Sequence, residues 1–178
     1  MASKSRNGLL IWLKRSPFIA GLFLFVIGSL IVQAMKKSMG MTKPTNLPPD
    51  FDQAMQSAFA GSGYPASTQY NWDAVAKMET GGFTSKLYAT YNNPWGMRDG
   101  SGRANHQADT VQTNNGTFAT YDTLQDAAED IIDWMNAAHF SKASMSLGDF
   151  VIEMGNHGYY GSQSAASYLK LVNEWFSK

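Results

Sequence analysis

A long apolar run near the N-terminus is the strongest hydrophobic pattern in the chain. Residues 16–35 contain no charged side chain, and a helix of that length rises about 30 Å, the thickness of a bilayer core. Lys14 and Arg15 precede the run, and Lys36 and Lys37 follow it. The pattern predicts a transmembrane helix over residues 16–35, with a slight preference for an N-terminus inside the cell.

A cleavable secretory signal is the alternative interpretation of the same run. Val32-Gln33-Ala34 offers small residues where a signal peptidase cuts. We favour a retained anchor, because the basic segment of residues 1–15 is long for a signal and contains its own apolar cluster. Both interpretations export the remainder of the chain. Residues 36–49, which contain Gly40 and three prolines, then predict a linker, and residues 50–178 a single small domain.

Beyond the linker, apolar residues recur at helical spacing in several segments. Asp50 is the predicted cap of the first helix, and Thr123 with Asp126 forms a predicted capping pair for the third. The last helix is expected to bury Leu169, Val172 and Trp175. The predicted helices cover residues 50–59, 66–79, 123–139, 147–154 and 164–176.

Residues 83–121 differ from these segments, because Asn, Gly, Thr and Tyr are frequent there and apolar residues do not recur at helical spacing. This composition predicts loops and a short hairpin in which Gly116 turns between residues 110–113 and 117–121. The predicted fold is therefore mainly α, with a small helical domain and a loop or hairpin lobe beside it.

Charge divides the chain and excludes several functions. All fourteen Asp and Glu follow position 43, whereas seven of the fourteen Lys and Arg lie at or before it. A basic segment beside an apolar run suits an anionic membrane surface, and an acidic remainder argues against nucleic-acid binding. The chain has no cysteine, and His106, His139 and His157 lack the spacing of a metal site. We predict no metal and no cofactor.

Glu79 is the candidate catalytic residue. Trp72, Val75, Ala76 and Glu79 fall at positions i, i+3, i+4 and i+7, which places the carboxylate on the apolar face of the second helix. Desolvation there would raise the pKa of the carboxyl group and keep it protonated, as cleavage of a glycosidic bond requires. The alternative is a solvated residue in the last turn of an amphipathic helix.

The sequence around Glu79 begins a series of four short motifs. They are Ala76-Lys77-Met78-Glu79-Thr80-Gly81-Gly82, Tyr91-Asn92-Asn93-Pro94-Trp95-Gly96-Met97-Arg98, Phe118-Ala119-Thr120-Tyr121-Asp122 and Gly158-Tyr159-Tyr160. Their order and spacing resemble the glucosaminidase family typified by flagellar muramidases and Gram-positive autolysins, within the lysozyme-like superfamily. The resemblance covers most of residues 66–176 and implies a lysozyme-like α+β fold with a cleft.

The family resemblance also implies roles for individual residues. Glu79 would be the general acid, and Asp109 would be the second carboxylate, supplied by the hairpin. This hairpin is shorter than is usual in the family and lacks the Glu commonly found there. The residues that would shape or line the implied sugar cleft are Asn93, Trp95, Tyr121 and Tyr159. The alternative is that these residues are core aromatics and a turn asparagine.

The resulting expectation is an enzyme that cleaves the β-1,4 glycan backbone of peptidoglycan, of N-acetylglucosaminidase or muramidase type. One alternative is a lytic transglycosylase of a secretion apparatus or of a membrane-containing phage virion. Another is a glycan-binding or structural module without turnover, and a third is an assembly subunit held by its membrane helix. The expected location is a single-pass membrane protein whose C-terminal domain faces the cell wall or periplasm, or the membrane of a virion.

Overall fold

A computed structural model describes residues 42–100 and 106–176. The predicted basic segment (1–15) and transmembrane helix (16–35) lie outside these ranges, and the predicted linker is described only from residue 42. Within the described ranges, no helix combines the length and apolar character needed to cross a bilayer. The membrane anchor therefore stays a prediction.

The described residues form six helices and one antiparallel two-stranded sheet. The domain is mostly helical with a small β-lobe, as the sequence pattern predicted. The elements in chain order are α1 (Pro49–Phe59), α2 (Ala66–Glu79), α3 (Lys86–Tyr91), β1 (Asp109–Thr113), β2 (Gly116–Thr120), α4 (Leu124–Ala137), α5 (Leu147–Asn156) and α6 (Ala165–Phe176).

Helix α2 lies at the centre of the domain, in contact with α1, α5 and α6. Trp72, Val75 and Ala76 are completely buried, as predicted, and so are Asp73 and Ala74 on other sides of the helix. The predicted apolar stripe is therefore confirmed, and burial extends beyond it to other sides of α2. A helix packed by neighbours on several sides buries almost its whole surface, so its sequence shows no strong amphipathic period.

Two helix starts show how local chemistry sets the boundaries. Helix α1 begins at Pro49, not after a cap at Asp50, because proline at the first helical position has no N–H to satisfy and its φ already suits a helix. Asp50 lies in the first turn, so its prediction as the cap is wrong. At α4 the predicted pair is confirmed: Thr123 and Asp126 form a reciprocal capping box.

The predicted hairpin is present, with a different turn. Strand β1 pairs with β2 in the register Asp109 opposite Thr120 through Thr113 opposite Gly116. The two turn residues are therefore Asn114 and Asn115, and Gly116 begins β2 with a φ of +116°.

Helices α3, α5 and α6 refine the prediction for their regions. The loop prediction for residues 83–121 missed α3, a six-residue helix whose N-cap Ser85 accepts a hydrogen bond from the Tyr88 amide. Helix α5 continues through Gly155 to Asn156. In α6 the buried residues are Tyr168 and Val172, whereas Leu169 and Trp175 are half-buried. The face of α6 that meets α2 and α5 is thus rotated from the predicted one.

Candidate active site

A groove with a volume of about 850 Å³ opens beside the C-terminal end of α2. Its size is in the range of ligand clefts. Residues from six parts of the chain line it: the end of α2, α3 with the segments before and after it, the β-hairpin, α4, the connection between α5 and α6, and α6. Its charged and aromatic lining residues are Glu79, Arg98, Asp99, Trp95, Phe118, Trp134, Tyr159, Tyr160 and Tyr168.

Glu79 is the last residue of α2, and its side chain is exposed to the groove. It is nevertheless surrounded closely enough by protein that desolvation raises the pKa of its carboxyl group. One carboxylate oxygen, Oε1, accepts a hydrogen bond of 2.6 Å from the hydroxyl of Tyr168, which lowers this pKa by a smaller amount. A carboxyl group that is both accessible and biased toward its protonated form is suited to donate a proton.

Tyr168 holds Glu79 from α6, 89 positions away in the chain. Its ring is 3% exposed and stacks on Tyr160, with 4.4 Å between ring centroids and 16° between ring planes. Burial, with contributions from Tyr159 and Glu79, raises the pKa of the Tyr168 hydroxyl far above its usual range. The hydroxyl therefore stays protonated and acts as a permanent donor to Glu79.

Asn93 lines the groove, but its side chain binds the backbone. Its Nδ2 donates to the carbonyl oxygens of Met97 and Ala119, both at 2.8 Å, and its Oδ1 accepts from the Met97 amide at 2.9 Å. One amide hydrogen thus closes the turn within the segment after α3, and the other joins that segment to β2. Asn93 shapes the wall of the groove through these bonds.

Trp95 and Tyr159 join the groove wall to the core. Trp95 is 2% exposed, packs against Trp72 and donates its indole N–H to the Trp72 carbonyl oxygen at 3.2 Å. Tyr159 donates its hydroxyl to the Trp95 carbonyl oxygen at 2.8 Å and is half-buried. Trp95 therefore supports the groove from behind, whereas Tyr159 presents part of its ring to it.

Two other predicted residues lie outside the groove lining. Tyr121 is buried, and its hydroxyl donates to Asp130 at 2.6 Å inside the domain. Asp109 lies at the start of β1, exposed, where its carboxylate accepts a hydrogen bond from the Thr110 amide at 2.7 Å. The acidic residues that do line the groove, within the described ranges, are Glu79 and Asp99.

The sequence prediction missed Tyr168, Arg98 and Asp99 as groove residues. Tyr168 lies four residues before the buried Val172, so it shares a helical face with a core position. That spacing is the available signal, but it marks burial and not contact with Glu79. Arg98 ends one of the four sequence motifs, and Asp99 follows it directly; nothing local in the sequence indicates that they face Glu79's groove.

A separate titratable cluster lies near the start of α4. One ring nitrogen of His106 and one carboxylate oxygen each of Asp126 and Glu129 lie within 4.8 Å of one another. The Nε2 atom of His106 also lies 3.4 Å from Oδ2 of Asp133. The Asp126 oxygen Oδ2 already accepts the Thr123 amide and hydroxyl in the capping box. These contacts give the cluster a structural role, that of tying the segment before β1 to α4.

Comparison with known proteins supports the fold class. No family model and no curated protein matches the sequence. A chain in the structure of a type VI secretion system effector-immunity complex from Pseudomonas protegens matches with a TM-score of 0.52 and 16% identity, over 69% of this chain and 84% of that one. The glycoside hydrolase domain of Salmonella typhimurium FlgJ matches with a TM-score of 0.50 and 16% identity, over 70% and 83%. This chain shares their fold. The predicted lysozyme-like fold class is supported to that extent.

Proposed function

We propose that this protein cleaves the β-1,4 glycan backbone of bacterial peptidoglycan, with Glu79 as the general acid. The observation that carries the proposal is the state of the Glu79 carboxyl group: it faces a groove of sugar-binding size, its pKa is raised by desolvation, and Tyr168 fixes one of its oxygens. The fold shared with the FlgJ glycoside hydrolase domain supports the same conclusion.

In the proposed reaction, protonated Glu79 delivers its proton to the glycosidic oxygen as the bond to the leaving sugar breaks. The hydrogen bond from Tyr168 to Oε1 orients the carboxyl group and stabilises the carboxylate that remains. Half-buried aromatic rings of Trp134, Tyr159 and Tyr160 offer surfaces for the apolar faces of pyranose rings.

The partner of Glu79 decides the outcome of the reaction. Asp109 remains the predicted second carboxylate, and Asp99 lies in the groove lining. A second carboxylate about 5 to 9.5 Å from the first would give retaining or inverting hydrolysis. Without one, the substrate's own acetamido group or a sugar hydroxyl serves as the nucleophile, and the hydroxyl route makes the protein a lytic transglycosylase.

Digestion of purified peptidoglycan tests the proposal. The full-length wild type should clear a peptidoglycan zymogram, Glu79→Gln should not, and Glu153→Gln, which removes a carboxylate outside the groove lining, should behave as wild type. Mass spectrometry of the released fragments then identifies the bond: reducing ends show hydrolysis and anhydro ends show transglycosylation. Equal clearing by wild type and Glu79→Gln would rule out Glu79 as the acid.

A non-catalytic glycan-binding module is the second candidate, because Asp109 lies outside the groove lining. A protein of this kind would bind peptidoglycan and release no fragments. Co-sedimentation with peptidoglycan sacculi, measured beside the digestion, separates the two: binding without products favours the module, and products that depend on Glu79 favour the enzyme.

We also propose that residues 16–35 anchor the protein and that the domain faces the cell wall. The chain has no cysteine, so single cysteines report its orientation. A membrane-impermeant maleimide applied to intact spheroplasts should label Ser57→Cys, on the exposed side of α1, and should not label Ser5→Cys. Labelling of Ser5→Cys alone would reverse the orientation, and loss of the protein into the soluble fraction would contradict the anchor.

A further inference from the structure

The charged residues of the groove include one whose role the proposed function does not explain. Within the described ranges, the ionisable acids and bases of its lining, tyrosines apart, are Glu79, Asp99 and Arg98. Arg98 is the cation among them. A neutral sugar needs no cation, because hydroxyl and acetamido groups are bound by neutral donors and acceptors. A guanidinium in such a groove suits an acidic group on the ligand, because its fork of N–H donors matches a planar carboxylate.

The β-hairpin holds Arg98 in a defined position. The backbone of Arg98 forms an antiparallel bridge with Phe118 of β2, and its guanidinium carbon lies 5.0 Å from the centroid of the Phe118 ring. A guanidinium that lies over an aromatic face contacts the ring with its flat side and carries its five N–H donors around its edge.

Gly116 makes room for this arrangement. A Cβ atom at this position would lie 2.3 Å from a terminal nitrogen of Arg98, closer than side-chain atoms approach one another, and the φ of +116° also favours glycine. The start of β2 thus lacks a side chain where the guanidinium lies. The hairpin supplies a ring beside the guanidinium and, at Gly116, the space that it occupies.

We propose that Arg98 binds a carboxylate of the peptidoglycan strand and so selects this polymer over neutral β-1,4 glycans such as chitin. The inference rests on the proposed function of the groove. Peptidoglycan carries carboxylates at two places, on the lactyl group of muramic acid where the peptide has been removed and on the stem peptide itself, whereas chitin carries none. A guanidinium binds either carboxylate through two parallel N–H donors.

The test compares three substrates with the full-length protein: peptide-bearing strands, strands freed of their peptides by an amidase, and chito-oligosaccharides. Arg98→Gln should raise KM for carboxylate-bearing strands about tenfold or more, as expected for loss of a charge-assisted pair, with kcat little changed. KM for chito-oligosaccharides should stay the same. For carboxylate-bearing strands, the KM of Arg98→Lys should lie between those of wild type and Arg98→Gln, because lysine keeps the charge and loses the bidentate geometry.

Lys142→Gln is the matched control, since Lys142 also lies 5.0 Å from the centroid of an aromatic ring, that of Tyr64, and lies outside the groove lining. It should leave every KM unchanged. A tenfold effect of Arg98→Gln on peptide-bearing strands alone assigns the stem peptide as the source of the carboxylate, and an effect on amidase-treated strands assigns the lactyl group. Equal effects on charged and neutral substrates, or none on either, would overturn the proposal.

Binding measurements test the role of Arg98 in ligand selection independently of glycan cleavage by Glu79. Co-sedimentation with sacculi and with chitin needs no turnover, so it reports on Arg98 even if no product forms. Arg98→Gln should weaken binding to sacculi and not to chitin. If wild type and Glu79→Gln both lack turnover, the enzymatic function fails while this selectivity stands; if turnover is normal and the selectivity is absent, the role of Arg98 alone fails.

Discussion

Two carboxyl groups on α2, at Asp73 and at Glu79, meet opposite environments. Asp73 lies in the middle of the helix and is 0% exposed, and neither of its oxygens has a hydrogen-bond partner. Glu79 lies at the helix end, where one oxygen accepts a hydrogen bond from Tyr168 and the side chain reaches the groove. Desolvation is the largest cause that raises the pKa of both groups.

The comparison shows that a raised pKa alone does not mark a catalytic acid. Burial favours the protonated form of Asp73, and the nearby Asp52 repels its ionised form more than Lys43 attracts it. No substrate reaches it. Glu79 is less buried than Asp73, and it meets two further requirements of a catalytic acid. It is accessible to a ligand, and the Tyr168 hydroxyl stabilises the carboxylate after the proton leaves.

The largest effect is expected from Glu79→Gln. Loss of the proton donor should lower the rate of glycan cleavage by about 10²-fold to 10⁴-fold or more. The melting temperature should stay at or slightly above the wild-type value, because the neutral amide needs no desolvation of a charge and still accepts from Tyr168. The rate is measured from the release of new glycan ends, and the melting temperature by circular dichroism. If Glu79→Gln kept a tenth or more of the wild-type activity, Glu79 would not be the general acid.

A change at Asp73 should affect stability and leave activity intact. The folded state binds this proton more tightly than the unfolded state, so the contribution of Asp73 to wild-type stability should be most favourable at low pH and should be lost as pH rises through the ordinary aspartate pKa toward the raised folded value. Asp73→Asn removes the ionisation. The variant should match wild type at pH 4 and exceed it at pH 8 by about 1 kcal/mol or more.

Urea unfolding at several pH values measures this difference, with glycan cleavage at each pH as the companion assay. Cleavage by Asp73→Asn should remain within about twofold of wild type. A large loss of cleavage without a loss of stability would mean that Asp73 serves the reaction, and the contrast between the two carboxyl groups would then disappear.

The smallest effect is expected from Tyr168→Phe. The hydrogen bond from Tyr168 lowers the pKa of Glu79, so its removal should raise that pKa further. Activity that needs protonated Glu79 falls as pH rises through its pKa, and this alkaline limb should move to higher pH in the variant, together with a few-fold lower maximum rate. A pH profile of kcat/KM measures the shift. A uniform loss at all pH values would assign Tyr168 a structural role only.

Local sequence patterns determined most of the helical framework. The capping box at Thr123 and Asp126, the hairpin between residues 110 and 120 and the span of α2 follow from short-range rules, because their stabilising contacts lie within a few residues. Glu79 was identified by its motif and by the helical face that it shares with the buried Trp72, Val75 and Ala76. Its pKa depends on α6 and on the groove walls, which lie far away in sequence.

The tertiary structure alone decided which side chains surround the groove. Tyr168 reaches Glu79 across 89 residues, Arg98 is placed by Phe118 and Gly116 of the hairpin, and Asn93 and Trp95 turn toward backbone partners. Hydrophobic periodicity predicts which residues are buried, and a short motif describes only residues that are neighbours along the chain. Neither predicts how one element packs on another. That packing places the Tyr168 hydroxyl, Arg98 and an open groove around the carboxyl group of Glu79.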